Sequence, residues 1–157
     1  MAYKFTIENH GYGFPSKCLA QNGGKHIFNI VATEDVDNGT FVGKGAWAGL
    51  ERYTQAAPGT ATGTVLEKAA NGNWYVEIVT AVGAYFVYTV PMVEEDRRAF
   101  QRDGVFYNAT GDVMRAYELA PGDIIELGGA SISGTVAAGT SVSLQAITGK
   151  TAKCLGA

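Results

Sequence analysis

Apolar and polar residues alternate with period two along most of this chain, and sharp turn signals separate the alternating runs. IFNIVAT (27–33) reads as a buried strand, EDVDNG (34–39) as a turn, and Thr40–Val42 as the start of a second strand. TVLEKA (64–69) and NWYVEIVT (73–80) flank Asn71-Gly72, a pair that tolerates positive φ and so predicts a tight hairpin. Trp74, Val76 and Ile78 share one face of the second of these strands, and Glu77 points the other way. AYFVYTV (84–90) is apolar at both parities, which predicts a central strand or one whose second face meets another subunit. Further on, Val105–Tyr107 reads as a strand and Thr110-Gly111-Asp112 as a turn. In VMRAYEL (113–119), Val113, Tyr117 and Leu119 share a face with Arg115. Ala120-Pro121-Gly122-Asp123 has Pro and Gly where a type II turn wants them, and Ile124–Leu127 then returns as a hairpin partner.

Other segments depart from this rhythm. In residues 1–26, Tyr3, Phe5 and Ile7 alternate, but Gly11, Gly13, Pro15, Gly23 and Gly24 argue for an arm of loops. Residues 43–63 carry Gly43, Gly45, Gly49, Pro58, Gly59 and Gly63 and read as a long loop with Trp47, Leu50 and Tyr53 embedded in it. VEEDRRAFQR (93–102) reads as a short helix, with acids before bases along the dipole and Glu94 spaced to reach Arg98, or as a charged, solvated loop. Residues 129–157 are mostly Gly, Ala, Ser and Thr. They predict low-bulk strands, with Ile132 and Val136 on one parity and Val142 and Leu144 on another, or a tail ordered by a partner. The expected fold is all-β: a compact β-barrel or β-sandwich of short antiparallel strands, with at most one short helix and long Gly-rich loops. The main β-domain spans 27–128, between an N-terminal arm (1–26) and the low-bulk C-terminal segment (129–157).

Composition supports this reading. Of 157 residues 21 are Gly and only 4 are Pro, and charged residues are 17%, below the usual quarter. The net charge of −3 comes with no basic cluster, so neither nucleic acid nor an anionic membrane is an expected partner. No apolar run is long enough to span a bilayer as a helix. MAYKFTIENH lacks the charged start and apolar run of a signal peptide, so synthesis and folding in a cytoplasm are expected. In that compartment Cys18 and Cys154 are expected as free thiols.

The candidate chemistry is sparse. His10, Cys18, His26 and Cys154 do not have zinc-ligand spacing. Asp35, Asp37, Asp112 and Asp123 sit at turns, where Asp bonds local backbone, and Asp35–Gly39 lacks the full ladder of a calcium loop. GYGF and GKGAWAG do not lie between a strand and an amphipathic helix, so they read as loops and not phosphate cradles. With no nucleophile–base pair in view, no catalytic, cofactor or metal residue is assigned and an enzyme is not expected. Trp74, Tyr85 and Tyr88 read as core. Trp47, Leu50 and Tyr53, in a loop, are the interface candidates.

Two stretches together carry a family resemblance: IFNIVATEDVDNGTFVGKG (27–45) and FYNATGDVMRAYELAPGDIIEL (106–127). Their order of turns and strand faces resembles the decoration (auxiliary, or cement) proteins on the heads of tailed bacteriophages. The resemblance implies a small β-module on the capsid surface of the virion, made in the host bacterial cytoplasm. Its partner would be the major capsid protein lattice, which it stabilises by bridging neighbouring subunits. A homo-oligomer, a trimer included, is compatible with the two-sided apolar strand. The alternatives are another phage component (tail tube, head fibre or adaptor) and a carbohydrate- or cell-surface-binding β-module. The latter would set Trp47, Tyr53 and neighbouring acids around an open groove.

Overall fold

The computed structural model describes residues 11–17, 27–90, 106–128, 131–133, 135–145 and 153–156. The helix candidate at 93–102, His10, Cys18, His26 and the Tyr3–Ile7 alternation lie outside these residues. Among the described residues the fold is all-β, with twelve strands: β1 (Gly13–Lys17), β2 (Ile27–Val31), β3 (Phe41–Gly49), β4 (Arg52–Ala56), β5 (Thr60–Lys68), β6 (Trp74–Val82), β7 (Tyr85–Val87), β8 (Val113–Glu118), β9 (Ile124–Leu127), β10 (Ile132–Ser133), β11 (Ser141–Gln145) and β12 (Lys153–Gly156). Strands β2-β4-β3-β7-β8 close into a barrel, and β1-β9-β6-β5-β11-β12-β10 form a seven-stranded sheet. Most pairings are antiparallel, but β2 runs parallel to β4 and β10 parallel to β12.

Alternation assigns the two cores. Ile30, Val42, Val87, Met114 and Ala116 fill the barrel. Phe41, Phe86 and Leu119 lie beside Val65, Val76, Ile78, Ile125, Leu127, Val142 and Leu144 in a second cluster, which joins the barrel wall to the inner face of the sheet. Strand β7 therefore has both faces occupied by its own chain. Val87 belongs to the barrel core and Phe86 to the junction, where its ring centroid lies 5.5 Å from that of Phe41. Each buried Val, Leu, Ile, Phe or Met side chain contributes about 1.5–3 kcal/mol.

One turn construction recurs and sets strand register. In Asp37-Asn38-Gly39-Thr40, Ala109-Thr110-Gly111-Asp112, Ala120-Pro121-Gly122-Asp123 and Ala137-Ala138-Gly139-Thr140, the third residue is a glycine with φ of 86°, 89°, 94° and 86°. That backbone region is open to glycine without steric penalty. Each glycine N–H donates to a carbonyl of a facing segment (Val87, Ala32, Ile78 and Val65 respectively), and the same facing residue donates its own N–H to the carbonyl of the fourth turn residue. In the last three turns the Asp or Thr side chain also accepts from the N–H of the first residue, at 3.1, 2.9 and 3.2 Å. A strand starts at the next residue, and its second side chain is buried: Val42, Met114, Ile125 and Val142.

This construction corrects the expected β8–β9 hairpin. The Pro121-Gly122 turn forms, with Asp123 N–H donating to Ala120 at 3.1 Å, but it is clamped to Ile78 of β6. Strand β9 therefore pairs with β6 and β1, while β8 pairs with β2 and β7. A type II turn splays its flanking strands, so it suits a change of sheet better than a hairpin.

Other expectations change as well. Residues 43–63 are not a long loop: they hold most of β3, all of β4 and the start of β5. Glycine at 43 is a matter of packing, because a Cβ there would run into the Ala57 carbonyl oxygen. Gly13 and Pro15 lie in strand β1, where Pro is tolerated because the strand is a sheet edge with a register shift after it. Phe106 and Tyr107 are buried but not in a strand, and Asn108 makes only an isolated bridge to Val36. In β8 the barrel takes Met114 and Ala116, the parity opposite to Val113 and Arg115. Buried Asn108 and Asn38 replace ladder bonds in this region. The Asn108 amide donates to Val36 O (3.0 Å) and Asn38 Oδ1 (3.2 Å), and Asn38 exchanges bonds with the Thr89 backbone.

Candidate functional site

Strands β3 and β4 form a hairpin that turns over just two residues, Leu50 and Glu51, between the paired Gly49 and Arg52. Gly49, Leu50 and Glu51 have φ of 80°, 54° and 57°, so three successive residues are left-handed and two of them are not glycine. A two-residue hairpin loop needs positive φ at both central positions to match the twist of its strands. Asn-Gly meets that need easily, whereas Leu-Glu meets it with strain of about 1–2 kcal/mol per residue. The Arg52 side chain steadies the turn by donating from Nε to the Gly49 carbonyl at 3.2 Å.

The strained turn carries apolar surface into solvent. Leu50 is 83% exposed and Trp47 60%. Trp47 stands edge-on to Tyr53 at a centroid distance of 5.3 Å, directly across the hairpin. Register shifts on both sides of Trp47 in the β3–β4 ladder twist this end of the hairpin. All three interface candidates thus lie on one hairpin, with Trp47 and Tyr53 in contact and Leu50 at the apex.

Tyr53 links the tip to the mouth of the barrel. Phe28 of β2 meets Tyr53 at 5.9 Å and Tyr85 of β7 at 5.3 Å, both edge-on, and all three rings pack against the barrel core. Lys44 of β3 has the inward parity of Val42, and its Nζ lies 4.2 Å from the Phe28 ring centroid, 4.8 Å from Tyr53 and 5.8 Å from Tyr85. Ring quadrupoles stabilise such a cation. Among the described residues Lys44 has no carboxylate within ion-pairing distance. Of the described acids, Glu118 is paired in register with Tyr85, and Glu34 accepts from the amide of Gln55, the register partner of Lys44, at 3.4 Å. Burial, and after it the charge of Glu118 and then Tyr53, holds the Tyr85 hydroxyl above the ordinary value of 10.0.

Lys44 and Phe28 did not stand out in the sequence, and Tyr85 reads there as core, with a sugar- or base-stacking platform of Trp47, Tyr53, Trp74, Tyr85 and Tyr88 as the alternative. Lys44 lies in GKG, which reads as loop, and the available signal was its even spacing from Val42. The turn carboxylates serve structure: Asp112 and Asp123 bond their own turns, Asp35 accepts from Thr110 (3.0 Å), and Asp37 accepts from Gly11 N–H (3.2 Å). Among the described residues no group of three or more His, Cys, Asp or Glu side chains could hold a metal ion. The site can offer a protruding apolar contact beside a cation set among aromatic rings. Comparison with protein families, curated proteins and solved structures gives no match for this chain.

Proposed function

We propose that this chain is a non-enzymatic virion structural protein. In this reading it is a decoration protein on the head of a tailed bacteriophage, docked on the outer surface of the assembled capsid, where it bridges major capsid subunits. The observation that carries the reading is the β3–β4 tip, a strained left-handed turn that holds Leu50 and Trp47 out in solvent. Strain of this kind persists where a particular presentation is useful. Aromatic and aliphatic anchors on a rigid support bind at low entropic cost. On a lattice, many modest contacts of this sort add up through multivalency.

Co-sedimentation of the purified protein with bare expanded capsids, and with unexpanded proheads as control, tests the reading. Saturable binding to the expanded shell alone, weakened by Trp47→Ala and Leu50→Ser, is the expected result. Binding to purified tails and not to heads would make the chain a tail component. Binding to neither, with retention on polysaccharide, would favour the carbohydrate module.

A further inference from the structure

We propose that the barrel mouth beside the hairpin tip receives an acidic side chain of the docked partner, with Lys44 as its counter-ion. This rests on the docking reading above and adds the chemistry of the partner surface: a carboxylate flanked by apolar residues. Position 44 has the inward parity of a small barrel whose other inward residues are Ile30, Val42, Val87, Met114 and Ala116. A lysine there breaks the pattern that stabilises the fold, and such breaks mark functional positions. Lys44 as a residue is half-buried, its ammonium lies near three ring faces, and it has no carboxylate partner among the described residues. The rings keep the side chain in place, and among the described residues no carboxylate pairs with its positive charge. The described acids on adjoining elements are Glu118 at the register position of Tyr85, Glu34 on the amide of Gln55 and Glu51 at the turn, and none of them forms an ion pair with Lys44.

A carboxylate arriving over the aromatic rim would meet this cation in surroundings poorer in water than open surface. Attraction there is stronger and less screened by salt. The exposed Trp47 and Leu50 on the same hairpin would cover the apolar flanks of the incoming segment and exclude water from the pair. The guanidinium of Arg52 is engaged at Gly49 through Nε and lies at the base of the same turn.

The test uses the whole protein and two peptides, acetyl-Leu-Glu-Leu-amide and acetyl-Leu-Gln-Leu-amide. The Lys44 ε-methylene protons lie near three rings, so ring currents displace their NMR signals and make them a reporter for the site. Saturable movement of those signals with the Glu peptide, at least roughly fivefold tighter than with the Gln peptide, is the expected result. Lys44→Met keeps the aliphatic stem and should abolish the discrimination while leaving unfolding cooperative. Equal response to both peptides, or none to either, overturns the proposal. In capsid binding, Lys44→Met should weaken affinity roughly tenfold and flatten its salt dependence. Loss of binding in Trp47→Ala with wild-type behaviour in Lys44→Met would overturn the carboxylate receptor and leave the docking tip standing. Wild-type binding in Trp47→Ala would remove the docking tip itself, whatever the peptides show.

Discussion

The two long hairpins of this protein solve the same problem in opposite ways. Between β5 and β6 the chain reverses through Ala70, Asn71 and Gly72, closed by Gly72 N–H to Ala69 O at 3.0 Å and Ala69 N–H to Asn73 O at 2.6 Å. Only the glycine has positive φ, at 89°. This is a three-residue loop with a glycine bulge, and not the tight two-residue turn that Asn-Gly suggests. The loop is also tied down. Asn71 and Asn73 both donate to Glu126 Oε1 (2.9 and 2.8 Å), and the Tyr12 hydroxyl donates to Asn73. Between β3 and β4 the left-handed positions hold Leu and Glu, with side chains in solvent. One turn is built for stability. The other holds strain that no buried contact of Leu50 offsets, and it displays its side chain.

The two hairpins meet at a shared junction around Phe86. Phe86→Ala should lower unfolding free energy by about 3–5 kcal/mol, because it empties a fully buried site between barrel and sheet. Urea unfolding checks this with a reporter in each layer, Trp47 on the barrel hairpin and Trp74 against the sheet core. Each tryptophan followed alone, with the other replaced by Phe, should give coincident transitions. Separate transitions would mean that the hairpins belong to independent folding units.

A second effect separates binding from stability. Trp47→Ala should reduce capsid affinity by more than roughly tenfold while changing unfolding free energy by under about 1 kcal/mol. A stability loss as large as the binding loss would make the tip an ordinary part of the fold.

Smaller and of opposite sign are two turn substitutions. Nothing lies within 4 Å of a Cβ built on Gly72, so Gly72→Ala tests conformation alone and should destabilise by about 1 kcal/mol. Leu50→Gly should stabilise by up to about 0.5 kcal/mol, since relief of strain exceeds the extra freedom glycine has when unfolded. Thermal melts of the two variants should shift in opposite directions, and shifts of the same sign would refute the contrast.

The smallest effect concerns pH. Tyr85 holds its proton more tightly in the fold than in the unfolded chain, chiefly through burial and then through Glu118. The resulting stability is complete below the unfolded value of 10.0 and is lost as pH rises through the higher folded value. Glu118→Gln should move Tyr85 partway back, because burial remains, and soften the alkaline loss. Tyrosinate absorbance followed against pH checks this, and an unchanged titration would detach Glu118 from the site.

The all-β character was legible because alternation and turn chemistry are local. The faces of β6 could be read from Trp74, Val76 and Ile78. The Pro-Gly-Asp turn was legible, as was the apolar nature of β7. The interface candidates Trp47, Leu50 and Tyr53 were visible as loop aromatics and aliphatics. Their strand context was not, because Gly43 and Gly45 look like loop residues until the backbone they approach is known. Lys44 was hidden for a related reason: its neighbours Phe28, Tyr53 and Tyr85 come from three other strands.

Local sequence carried the period-two alternation and the clamped turns at Gly39, Gly111 and Gly122 with the strands that follow them, since these depend on φ preferences and on side chains a few residues apart. Tertiary structure alone decided which strand each turn clamps, that β8 and β9 part into different layers, and that a lysine ends among three rings. Those outcomes depend on which distant backbone carbonyls and apolar faces meet, and no short-range preference encodes that.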